Sequence, residues 1–115
     1  MEELIILSAK MQEYVKMSEE LPFLEFSDYY QEVMTFLQEK YQDLNPDQLI
    51  EIKGICSIVS SNAQTRAAKK DDNRKKFQKM QEKTKFWQEA IDLRLKKEGL
   101  SKEEIEEKEN NLWKD

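Results

Sequence analysis

The chain has no histidine, one cysteine, two glycines and two prolines among its 115 residues. Without histidine it lacks the side chain that most often serves as general base and metal ligand near neutral pH. A single cysteine, Cys56, rules out an internal disulfide, a thiolate metal site and a Cys–His nucleophile pair. Gly54 and Gly99 are too few and too far apart to cradle a phosphate. Long hydrophobic runs are also missing: the apolar run Leu4–Leu7 covers four residues and no basic segment precedes it. Neither a signal peptide nor a transmembrane span is therefore expected, and a cytoplasmic location, in keeping with the lone thiol, is the expectation. No catalytic residue, cofactor site or metal site is expected, and the protein reads as a non-enzyme.

What the chain does have is charge and helix-forming residues. Charged residues make up 37% and hydrophobic residues 38%. Abundant Glu, Lys and Gln with few breakers and little Val or Thr describe an all-α protein. Five Phe, four Tyr and two Trp give it the means to build a core, so the charge does not imply disorder. A single domain over residues 1–115 is expected for this length. The net charge of −5 is uneven: residues 1–53 hold twelve acids and four bases, residues 54–86 three acids and nine bases, and residues 87–115 nine acids and six bases. An acidic first half beside a basic middle points to internal or dimeric charge pairing, or to a patch for an anionic partner.

The first helix is predicted over 2–19, with Leu4, Leu7, Met11, Tyr14 and Met17 on one side. Pro22 ends it, and Leu21, Phe23, Leu24 and Phe26 form an apolar connector. Ser27 is a good N-cap for a second helix over 27–42, whose buried face is Tyr30, Val33, Phe36, Leu37 and Tyr41. Asn45-Pro46-Asp47-Gln48 starts a third, with proline at the first helical position. Gly99 suits the left-handed residue that closes a helix, after Lys96 and Lys97 in the last turn. Ser101-Lys102-Glu103-Glu104 reads as a capping box opening a polar fourth helix over 102–113, with Ile105 apolar and Trp113 as its anchor.

Between Pro46 and Glu98 lies the dominant pattern. Leu49, Ile52, Cys56, Val59 and Ala63 recur at spacings of three and four, and Phe77, Met80, Thr84, Trp87 and Ile91 resume in the same phase. The intervening heptad positions Arg66, Lys70 and Asn73 are polar. Two arrangements fit: one long helix over 46–98, or a break near residues 70–72, where bases suit a helix end and Asp71 and Asp72 a helix start. The unbroken phase and the absence of glycine or proline favour the long, at most kinked, helix. The expected fold is thus a small helical bundle with a long third helix, coiled-coil-like packing and a short C-terminal helix. A helix much longer than its neighbours leaves seam uncovered, which predicts a homodimer or higher homo-oligomer.

Acids are plentiful but fall off the apolar stripes, so Glu13, Glu32, Glu39 and Glu51 read as a solvated face and not as a helical metal site. Asp71-Asp72-Asn73 lacks the alternating ligands of a calcium loop. The remaining candidates are binding residues. For an interaction module such as a small adaptor, regulator or inhibitor, these are Phe26, Tyr29, Lys75, Lys79, Lys83, Phe86 and Trp113, since exposed aromatics anchor interfaces. Phe86 and Trp87 are adjacent, point about 100° apart, and so cannot both face one seam. The alternative is a nucleic-acid-binding accessory protein whose Arg66, Lys69, Lys70, Arg74, Lys75, Lys76, Lys79 and Lys83 follow a phosphate backbone. Against it, Phe77 and Trp87 lie on the apolar stripe, out of reach of bases.

Overall fold

The computed structural model describes residues 2–69 and 72–112, and these form five α-helices and one short 3-10 turn, with no strand among them. The all-α expectation holds. Although 1–115 reads as a single domain, contacts gather the chain into two compact units, Met1–Asn45 and Pro46–Asp115, divided at the Asn45-Pro46 helix-start signal.

The first unit contains α1 (Glu2–Lys16), α2 (Phe23–Lys40) and the 3-10 turn Tyr41–Asp43. Leu4, Leu7 and Met11 form the buried row of α1. The helix ends three residues short of Glu19, where the Met17 N–H donates to the Tyr14 carbonyl at 3.2 Å and tightens the last turn. The second helix starts earlier than its Ser27 cap signal predicts. Pro22, extended at φ −55 and ψ 151, stands just outside, and its carbonyl accepts from the Phe26 N–H at 3.0 Å. Ser27 is therefore inside α2. Beginning at Phe23 places Phe26 in register with Tyr30, Val33 and Leu37 on one buried face, a gain that outweighs a serine cap of about 1 kcal/mol. The two helices pack against each other. The Tyr29 hydroxyl donates to the Leu7 carbonyl at 2.7 Å, Lys10 pairs with Glu32 at 3.1 Å, and the Tyr14 and Tyr29 rings meet edge to face at 5.2 Å.

The second unit contains α3 (Pro46–Ala67), α4 (Arg74–Lys97) and α5 (Lys102–Leu112). The long helix over 46–98 is not formed: the chain leaves helical structure between Ala67 and Arg74, and α4 folds back along α3. Two contacts fix the antiparallel register. The Arg66 guanidinium lies over the Phe77 ring, 5.7 Å from its centroid, and Lys53 pairs with Asp92 at 3.0 Å. Ile52, Cys56, Val59 and Ala63 of α3 and Met80, Thr84 and Ile91 of α4 are buried, and Trp87 is partly so. Opening the helix over six residues forfeits a handful of backbone bonds at about 1 kcal/mol each. Burying each large apolar side chain returns about 1.5–3 kcal/mol, and the hairpin covers Ile52, Val59, Phe77, Met80 and Ile91 together. Of the polar heptad positions, Arg66 stays in α3 and Asn73 lies in the turn before α4. Because α4 covers α3 within one chain, that seam is filled without a second copy.

Local signals near the C-terminal end are realised as expected. Gly99 takes φ +99, its N–H donates to the Lys96 carbonyl at 3.0 Å, and Leu100 donates to Leu95 at 3.1 Å, which is a Schellman closure of α4. The Glu104 N–H donates to the Ser101 hydroxyl at 3.1 Å, and the Ser101 N–H donates to the Glu104 carboxylate at 3.4 Å. This completed capping box starts α5. Ile105 is the buried residue of α5, which packs on α3. Trp113, the expected anchor, lies outside the described residues.

Candidate interaction surface

One side of α4 is consumed by the seam with α3; the other faces outward and is not uniformly polar. Phe86 and Leu93 are each 62% exposed. Seven residues apart, they stand on the same side of the helix, about 10.5 Å from each other along its axis. Ala90, half-buried, lies between them. Exposed lysines continue the same face in both directions: Lys75, Lys79 and Lys83 before Phe86, and Lys96 and Lys97 after Leu93. Glu82 and Glu89 are also exposed on this face. The cause is register. Trp87 turns toward α3, so its neighbour is carried outward, the two rings meeting edge to face at 5.7 Å.

Of the residues expected to bind a partner, Phe86, Lys75, Lys79 and Lys83 share this surface. Phe26 and Tyr29 do not serve: they are 5% and 3% exposed. Phe26 joins the buried face of α2, and Tyr29 is held by its hydroxyl bond to Leu7 and its ring contact with Tyr14. Leu93 is the residue the sequence reading missed; its seven-residue spacing from Phe86 was the available signal. The proposed phosphate-binding set is divided. Arg66 is buried over Phe77, and the turn after Ala67 removes the single helical row that Arg66, Lys70 and Arg74 would have formed. Lys70 lies outside the described residues. Lys69, Arg74 and Lys76 are exposed, and the row Lys75, Lys79, Lys83 survives on α4.

Elsewhere the polar groups serve structure. Lys53 reaches Asp92 of α4 at 3.0 Å and Glu109 of α5 at 3.2 Å, so one ammonium ties three helices. Burial pulls its pKa down, but the hydrogen bond it donates to Asp92 and the charges of both carboxylates outweigh this and hold it above the ordinary lysine value. Cys56 is fully buried, and desolvation pushes its thiol up to about 12, which removes the thiolate a nucleophile needs. Between α1 and α2 runs an open groove of about 460 Å³, lined by Ile6, Leu7 and Phe36 and crossed by the Lys10–Glu32 pair. Among the described residues no three His, Cys, Asp or Glu side chains gather as metal ligands, and no helix is long and apolar enough to cross a membrane.

No protein-family model, curated protein or solved structure matches this chain.

Proposed function

We propose that this protein is a non-enzymatic, cytoplasmic interaction module that docks another protein along the outward face of α4, acting as a small adaptor, regulator or inhibitor. The observation that carries the reading is the exposed Phe86–Leu93 stripe framed by lysines. An aromatic and an aliphatic side chain on a rigid helix, ringed by charge, is the make-up of an interface with a dry centre and a polar rim. With the α3 seam closed inside the chain, this face is the better candidate for partner binding than any oligomer built on that seam.

The test is affinity capture from an extract of the native source, comparing the wild type with the Phe86→Asp/Leu93→Asp double variant. Both positions are solvent-exposed, so the variant should keep its helical circular dichroism and thermal midpoint while losing a bound protein. An identical capture profile would remove α4 as the docking face. Nucleic acid is the second reading, favoured by the surviving row Lys75, Lys79, Lys83 at one-turn spacing. It requires labelled RNA or DNA to bind at low salt, and Lys79→Glu/Lys83→Glu to abolish that binding.

A further inference from the structure

We infer that the partner of the α4 outer face is an acidic amphipathic helix: two apolar residues spaced by two turns, flanked by Asp or Glu. The inference rests on the reading of α4 as the docking face and adds the chemistry of what docks. Its first ground is spacing. Phe86 and Leu93 sit one heptad apart within one continuous helix, so the complementary ridge repeats every seven residues, as a second helix packed alongside does. An extended strand would place same-side residues at a period that does not match.

The second ground is charge. Lys79 and Lys83 precede the stripe and Lys96 and Lys97 follow it, while Glu82 and Glu89 stand on the same face, each one turn from an apolar residue of the pair. The excess is positive at both ends of the apolar pair. Carboxylates on the docking helix, one turn beyond its apolar residues in each direction, meet these ammonium groups at the rim, where they govern orientation and encounter rate. The same arrangement argues against a second copy of this face. Two such stripes packed antiparallel would set Lys83 of each chain against Lys96 of the other, with Glu82 against Lys97, and packed parallel would set like charge against like, so a helix bearing carboxylates at all of these positions complements the face better than a second copy does. A phosphate backbone would satisfy the lysines but leave Phe86 and Leu93 wet, so nucleic acid explains half of the surface.

The experiment uses the full chain and two synthetic helical peptides. They carry the same leucine heptads, one with glutamates and the other with lysines at the flanking positions; binding is measured by fluorescence anisotropy at low and moderate salt. The expected result is binding of the glutamate peptide about tenfold or more tighter than the lysine peptide, weakening with salt. That binding should be lost in Phe86→Asp and reduced in Lys79→Glu/Lys83→Glu. Equal binding of both peptides, abolished by Phe86→Asp, would overturn the acidic partner while leaving α4 as the docking face. Preference for the lysine peptide, or no binding of either, overturns the inference. Binding of labelled single-stranded RNA that is lost in Lys79→Glu/Lys83→Glu yet unchanged in Phe86→Asp overturns both the inference and the reading beneath it.

Discussion

The protein contains two helical hairpins, α1–α2 and α3–α4, and they are finished to different degrees. The α3–α4 hairpin interleaves two complete apolar rows, ties its flank to α5 through Lys53, and ends α4 on a left-handed glycine. The α1–α2 hairpin, whose polar contacts include the Tyr29 hydroxyl bond and the exposed Lys10–Glu32 pair, keeps an open groove and leaves Ile5, Ile6 and Val15 of α1 exposed. A hairpin whose rows match in length seals itself. One whose helices carry more apolar residues than their contact can cover does not.

Thiol reactivity should separate the two most sharply. Cys56 in α3 stands near pKa 12 against 9.0 for a free thiol, which leaves roughly a thousandth of the thiolate at neutral pH. A disulfide reagent should therefore label Cys56 only after denaturation, whereas Ile5→Cys in a Cys56→Ser background should react at the rate of a free thiol. Rapid native labelling of Cys56 would mean that the α3–α4 seam opens. In stability, Ile52→Ala should cost about 2–5 kcal/mol by thermal or denaturant melting, while Ile5→Ala, 65% exposed, should stay within about 0.5 kcal/mol. Equal costs would erase the distinction between the hairpins.

Smaller effects refine it. Lys53→Met should cost about 1–2 kcal/mol, less than a fully buried pair because Asp92 keeps 38% exposure. Since the folded pKa of Lys53 lies above its ordinary 10.5, its stabilisation is whole below that pH and lost as pH rises through the folded value. The wild type should therefore lose more stability than Lys53→Met on going above about pH 10.5, as read by urea melts at each pH. Gly99→Ala should cost about 1 kcal/mol, because a Cβ at φ +99 is strained even though the space around it is open. A neutral result there would show that the α4 terminus frays.

Much of this was legible in the sequence because the signals were local. Pro46, Gly99 and the Ser101–Glu104 box each act through their own backbone, and each stands where it was expected. The signals that misled were those decided by packing. Ser27 is an adequate cap, yet the benefit of placing Phe26 on the buried face of α2 moved the helix start to Phe23. That shift puts Phe26 in the buried row, and Tyr29 is covered by α1 through Leu7 and Tyr14. The long helix was misread for a geometric reason. A three–four spacing is the same read forwards or backwards, so a stripe that stays in phase fits a straight rod and a strand of helix folded at its midpoint equally well. Arg66 gave no warning, because a charged heptad position reads as a gap until Phe77 is brought beneath it.

The folded stripe has a consequence for how this chain can be altered. Residues added between Ala68 and Lys69 would lengthen only the connection, at about 0.6 kcal/mol for each doubling of its length, and contacts such as Lys53–Asp92 and Arg66–Phe77 would survive. One residue added within α4 would instead rotate everything beyond it by about 100° and present charge to α3. The tip is thus the place for a tag, a cleavage site or a grafted segment, while the stems tolerate no change of length.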